Sequence, residues 1–210
     1  MFVYLNALFV GLLIVSNILG VKLFSIGSYV LPAAVIVYVI TYLITDVIGE
    51  VYGKKAAQQT VQAGFVTQIV VMAFIVIAIN LPAAPFFASQ EAFKTILGGS
   101  FRVMLASLIS YFVSQNLDVF LFHRLKQMHG EKKLWVRNNL STMSSQLIDT
   151  TIFISIAFYG TLPTTALLGM IVTQYAFKFI VAVVDTPIVY LLVNLSKRQS
   201  KHSDLVSVEK

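Results

Sequence analysis

The chain has 210 residues, of which 58% are hydrophobic and 11% charged. Soluble domains carry about 25% charged residues, and small ones keep much of their surface wet, so a water-soluble globule is excluded and a bilayer is required. The formal net charge is +6 and there is no cysteine. Nucleic acid is not the partner, because the basic residues fall in the gaps between apolar runs, and disulfides, thiolate ligands and cysteine nucleophiles are excluded.

A spanning helix needs about 20 mostly apolar residues. Six segments qualify: Val3–Leu19, Val30–Ile48, Val61–Leu81, Phe101–Phe122, Ser141–Tyr159 and Thr165–Val193. All are apolar on most sides, and the alternating segments of about 10 residues that mark a membrane barrel do not occur, so strands are not expected. The first segment lacks a basic leader and an A-x-A cleavage site, and reads as a helix rather than a signal peptide. The second ends in Thr45-Asp46-Val47-Ile48-Gly49-Glu50-Val51-Tyr52-Gly53, with Asp46 in its last turn and Glu50 four residues on. Gly49 and Gly53 allow the backbone to turn or pack closely there. A solvated loop with basic anchors accounts for Lys54 and Lys55, but not for Asp46. After the third segment, Pro82 to Ser100 is the longest connection on its side, and Ser89–Leu97 reads as a short interfacial helix with Phe93, Ile96 and Leu97 toward lipid. In the fourth and fifth segments, Asp118 lies about one turn and Asp149 about two turns from the basic side. The sixth carries Lys178 near mid-membrane, Asp185 two turns further on the same face, and Pro187, which removes a backbone hydrogen bond and kinks the helix. Residues 1–195 thus form one six-helix transmembrane domain, and 196–210 a polar, disordered cytoplasmic tail.

Orientation follows from lysine and arginine. With the N-terminus inside, 11 of the 15 fall on inner segments, three (Lys22, Lys94, Arg102) on outer ones, and Lys178 within a helix. Positive residues collect on the cytoplasmic side, so both ends are cytoplasmic.

Five charges inside the apolar segments carry the chemistry: Asp46, Asp118, Asp149, Lys178 and Asp185. Such charges are costly in a bilayer and face a cavity or a partner. One pattern occurs twice: Ser114-Gln115-x-x-Asp118-x-x-x-Phe122 and Ser145-Gln146-x-x-Asp149-x-x-x-Phe153. Spacings of three and four put Ser, Gln and Asp on one helix face. On antiparallel neighbours, two such faces form an array of amide and carboxylate groups that suits a planar ligand rich in N–H groups. The competing explanation is interhelical glue. Lys178 is too deep to reach the surface, and Asp149 or Asp118 is within its reach. No H-E-x-x-H, G-x-S-x-G or Walker A motif occurs, and His123, His129 and His202 do not cluster, so neither an enzyme nor a metal site is expected.

Taken together, Ser16-Asn17, Thr45-Asp46 through Tyr52-Gly53, Gln115-x-x-Asp118 followed by Phe122, Arg124 and Lys126, the Ser145–Asp149 motif, and Tyr175-x-x-Lys178 with Pro187 and Tyr190 resemble the queuosine precursor transporter family, also known as the vitamin uptake transporter family. The resemblance runs from the first helix to the sixth. It implies an all-α inner-membrane protein similar to the membrane subunits of energy-coupling-factor importers. The implied activity is import of the deazaguanine bases cyano-deazaguanine and its aminomethyl relative. It carries over Asn17, Asp46, Gln115, Asp118, Gln146, Asp149 and Lys178 as substrate-binding residues. Asp185 matches no family motif, and its role in ion coupling or a structural pair rests on position alone. The partners implied are the bilayer and a small deazapurine, with no cofactor and no metal, and a homo-oligomer is left open. Two other classes compete: a substrate-capture subunit of an ATP-driven importer, and an intramembrane enzyme using Asp118 and Asp149 as acid and base.

Overall fold

The computed structural model describes residues 1–27, 29–129 and 134–181. Asp185, Pro187, Tyr190 and the tail expected from 196 lie outside the described residues, as do the side chains of Asp118 and Phe122. The element order is α1 (Phe2–Leu19), β1 (Leu23–Ile26), β2 (Tyr29–Pro32), α2 (Ala34–Tyr52), α3 (Lys54–Asn80), α4 (Gln90–His129) and α5 (Leu134–Phe158). A further helix, α6, is described over Thr164–Val181. Among the described residues, five helices are long and apolar enough to cross a membrane: α1, α2, α3, the first part of α4 to Leu117, and α6. The 25-residue α5 is not among the five, because Ser141, Ser145, Gln146, Asp149, Thr150 and Thr151 give it a polar side.

Three corrections to the sequence reading have simple causes. The connection between α1 and α2 is an antiparallel hairpin that pairs Leu23 with Pro32 and Ile26 with Tyr29, where no strand was expected. Its strands turn at Gly27, whose φ of +60° suits a residue without Cβ. Val30 to Pro32 therefore belong to β2, and α2 begins at Ala34. Next, the segment Ser89–Leu97 is not a separate interfacial helix, because Gln90 onward is the start of α4. That helix of 40 residues is about 60 Å long, twice the roughly 30 Å hydrocarbon core. Past Leu117 its sequence turns polar but stays rich in Leu, Lys, Arg, Gln and Met, so helical propensity carries on where hydropathy stops. Finally, the helix ends move outward. Asp46 lies nearly two turns before the end of α2, position 118 about three turns before the end of α4, and Asp149 about four turns into α5.

Packing is built from close approaches. Gly53 alone links α2 to α3, at φ +90° and ψ 162°, a combination that side chains with a Cβ avoid. At Gly64 of α3 an added Cβ would stand 2.8 Å from Leu13 Cδ2 and 3.0 Å from Phe9 Cε1, so the missing side chain lets α1 lie against α3. Phe9 and Leu13 of α1 also meet Ile44 and Ile48 of α2. Met72 and Ile75 of α3 meet Met104 of α4. Among α1 to α5 the most extensive contact is between α4 and α5. There Val103 and Ala106 pack on Phe153, Ile154, Ala157 and Phe158, joined by Leu167 and Met170 of α6 and flanked by Leu23 and Val30 of the hairpin. Arg102 locks the same end by donating through Nε to the Ile156 carbonyl at 2.6 Å and through Nη2 to that of Tyr159 at 2.5 Å, so a cation caps the C-terminus of α5. The outer faces expose Val66, Val70, Phe74 and Ile77 of α3, Phe112 of α4, and Leu168, Val172 and Phe179 of α6. A soluble protein does not leave stripes of that extent wet, and lipid covers them here.

Candidate functional site

The centre of the site is an ion pair between helices. Lys178 Nζ of α6 stands 2.8 Å from Asp149 Oδ2 of α5, and donates to Thr150 Oγ1 at 3.1 Å. The two charged side chains are 14% and 26% exposed. Asp149 precedes the end of α5 by nine residues, about 14 Å along the helix axis. The expectation that Lys178 meets a carboxylate thus holds, with Asp149 as its partner. From the other side, Ser114 Oγ of α4 lies 3.4 Å from Asp149 Oδ1. Three helices therefore converge on one carboxylate.

The cation borders a narrow cleft lined by Val35, Tyr38, Val39 and Tyr42 of α2 and by Gln174, Phe177, Lys178 and Val181 of α6. Spacings of four put Tyr38 and Tyr42 on one face of α2, and Gln174 and Lys178 on one face of α6. The two tyrosine rings stack with centroids 6.1 Å apart and planes at 25°. Both phenols are near enough to Lys178 to interact with its charge, and Tyr38 also reaches Ser107 of α4. An ammonium has three N–H donors, and two of those of Lys178 go to Asp149 and Thr150. The cleft thus offers a fixed cation, phenol groups and a flat aromatic wall. Such a set can hold a planar polar ligand, and it includes no activated nucleophile among the described residues.

The other predicted residues are only partly gathered here. Asp46 is exposed on α2, one turn beyond Tyr42 on the same face. Gln146 is exposed one turn before Thr150, and Gln115 is exposed next to Ser114. Asn17 is elsewhere: wholly buried in α1, it donates to the Leu13 carbonyl at 2.9 Å and to Gln68 Oε1 at 3.3 Å. Gln68 of α3 in turn donates to the Met104 carbonyl at 2.7 Å, so these two amides tie α1, α3 and α4 together. Tyr175 points its hydroxyl at the Met143 carbonyl of α5, at 3.3 Å, and is not a cleft residue. Among the described residues no cluster of His, Asp or Glu is arranged to hold a metal ion. Tyr38, Tyr42 and Gln174 were missed from the sequence. The spacing Tyr38-x-x-x-Tyr42-x-x-x-Asp46, which lines two phenols up with an intramembrane carboxylate, was the available signal.

Curated relatives of the chain have transport names. A "Probable queuosine precursor transporter" of Bacillus subtilis is 39% identical over 103 residues, which are 49% of this chain and 45% of the relative. One of the same description from Haemophilus influenzae is 44% identical over 59 residues, 28% of this chain and 24% of the relative. A "Queuosine precursor transporter" of Escherichia coli is 29% identical over 114 residues, 51% of this chain and 50% of the relative. The chain spans about half the length, or less, of the curated relatives it matches. No solved structure matches it significantly. The family model described as "Putative vitamin uptake transporter" matches residues 32–192, a stretch that takes in the tyrosines of α2, the Asp149–Lys178 pair and the apolar helices around them, so this multi-pass membrane chain belongs to that family of transporters.

Proposed function

We propose that the chain imports a queuosine precursor, a deazaguanine base such as cyano-deazaguanine or its aminomethyl relative, as a secondary transporter. The observation that carries this reading is the Asp149–Lys178 pair beside a cleft walled by stacked tyrosines. A deazaguanine is flat, presents a carbonyl to a cation, and presents N–H groups to a carboxylate or amide oxygen. Asp46, Gln115, Asp118 and Gln146 are the further substrate contacts of this proposal, along the route past the pair. Asn17 acts behind them by holding α1 to α3.

The topology that goes with this function has six spans and both ends in the cytoplasm, and is similar to the membrane subunits of energy-coupling-factor importers. Residues 1–195 form its single domain. The charge bias of the sequence supports the orientation. The burial of Phe153, Ile154 and Ala157 between α4 and α6 supports α5 as the sixth span, since an inner helix need not be apolar on every side.

The test is uptake of labelled cyano-deazaguanine by proteoliposomes holding the purified chain and no ATPase. Uptake is expected, with the base recovered unchanged, and it should fall to background in Asp149→Asn and in Lys178→Met. Binding without uptake would favour the capture-subunit reading. Neither binding nor uptake would overturn the proposal.

A further inference from the structure

Buried polar atoms in a finished fold are nearly always hydrogen-bonded, so each exception calls for a reason. Among the described residues four buried side-chain atoms lack a partner: Asn6 Oδ1, Asn17 Oδ1, Thr60 Oγ1 and Gln174 Oε1. Only Gln174 lines the cleft. It is 3% exposed, sits one turn from Lys178 on the same face of α6, and is part of no motif that the sequence singled out.

We infer that Gln174 is a specificity-determining residue, which accepts a ring N–H from the base whose neighbouring carbonyl Lys178 holds. This inference rests on the proposed function and adds to it the direction of the hydrogen bonds. An acceptor and a donor at i and i+4 present one of each to an edge lying across them. The edge that satisfies both is a lactam, a ring N–H beside a carbonyl. An amino-substituted base has the opposite pattern, with a bare ring nitrogen beside an NH2 group. Against that edge Gln174 Oε1 would meet a lone pair and the ammonium would meet an amino group. A buried polar site discriminates strongly against an analogue that leaves its groups unpaired, because neither water nor protein compensates them. The tyrosine wall is indifferent to this choice, since both kinds of base have the same flat face.

The experiment measures equilibrium binding of two probes, cyano-deazaguanine and deazaadenine, to the purified full chain and to Gln174→Leu. The wild type should bind the first and reject the second. In the variant, affinity for cyano-deazaguanine should drop roughly three- to tenfold, the equivalent of one neutral hydrogen bond, while deazaadenine loses nothing or gains. The ratio of the two affinities is therefore the readout, and a general loosening of the fold would not narrow it. Gln174→Asn, a methylene shorter and still polar, gives the same readout if the leucine variant does not fold. An unchanged ratio in the variants, with a wild type that binds cyano-deazaguanine, overturns the role of Gln174 and leaves the transport reading intact. A wild type that binds neither base overturns the transport reading, and this inference with it.

Discussion

Replacing Lys178 by Met keeps the length of the side chain and removes the cation 2.8 Å from Asp149 Oδ2. At that distance, with an effective dielectric constant of about 20, the attraction is roughly 6 kcal/mol before any desolvation is counted. Breaking a buried pair by deleting one member typically costs about 3–5 kcal/mol, because the remaining charge is stranded. Asp149 retains 26% exposure and has Ser114 Oγ at 3.4 Å, which relieves part of that penalty, so a loss of about 2–4 kcal/mol is expected. Asp149→Asn strands the lysine instead, with Thr150 as its remaining acceptor at 3.1 Å, and should lose a similar amount. The double variant leaves neither charge behind. Its loss should be smaller than the two single losses together by about 2 kcal/mol, well beyond the roughly 0.5 kcal/mol within which independent sites add. Unfolding in detergent, followed by denaturant or heat, measures this cycle. Uptake separates structure from function: the double variant should recover stability without recovering transport. Additive losses would refute the reasoning, since α5 and α6 would then be held together without the pair.

Two other predictions come from the backbone. Gly53→Ala should destabilise the protein by about 1–3 kcal/mol, because φ +90° with ψ 162° is a region that only glycine enters freely; a melting curve no lower than that of the wild type would contradict it. The chain has no native cysteine, so cysteines placed at Ala106 and Ala157, which share one buried cluster of α4 and α5, should cross-link under mild oxidation. Cysteines at Ala106 and Thr150 should not, as about 10 Å of helix axis separates Thr150 from Ala157.

The helices were legible where hydropathy alone defines them. Six apolar segments in order are what the sequence predicts, and a helix lies at each. Their ends were not legible, because a membrane helix does not stop at the lipid boundary. α4 runs on through Arg124 and Gln127, and α3 already begins at Lys54, where hydropathy is low and helical propensity is not. The hairpin escaped notice because a strand of four residues, such as Leu23-Phe24-Ser25-Ile26, is as apolar as the helices on either side. Only the Gly-Ser dipeptide at 27–28, between runs rich in aromatic and branched residues, marked it. Lys178 and Asp149 were legible for the opposite reason: a charge in a bilayer requires a partner, and few are on offer. Tyr38 and Tyr42 were harder to read, since a single tyrosine in an apolar helix looks the same whether it faces lipid or a cleft, and only their alignment with Asp46 set them apart.

The repeated Ser-Gln-x-x-Asp motif shows how far a sequence pattern reaches and where geometry takes over. The sequence reading has the two Gln–Asp faces meeting; among the described side chains the contact between the motifs is of Ser114 with Asp149, unlike members of the repeat, while both glutamines are exposed. Ser114 is opposite Asp149. Four residues on along α4, and four back along α5, position 118 comes opposite Ser145, by the same register that brings Ala106 to Ala157. Running in opposite directions, the motifs are related by a two-fold in this register, and Gln115 and Gln146 are both exposed. Such a hairpin is symmetric by itself and does not favour one end of the membrane over the other. The third helix breaks the symmetry. α6 brings Lys178 to Asp149, with Gln174 one turn away on the same face, and α2 lays Tyr38 and Tyr42 across the same spot. One carboxylate of a symmetric pair is thereby joined to a cation, a phenol wall and an unpartnered amide oxygen. Under the proposed function, that asymmetry is what orients a flat base, and the sequence hid it because the residues responsible lie on helices the repeat does not include.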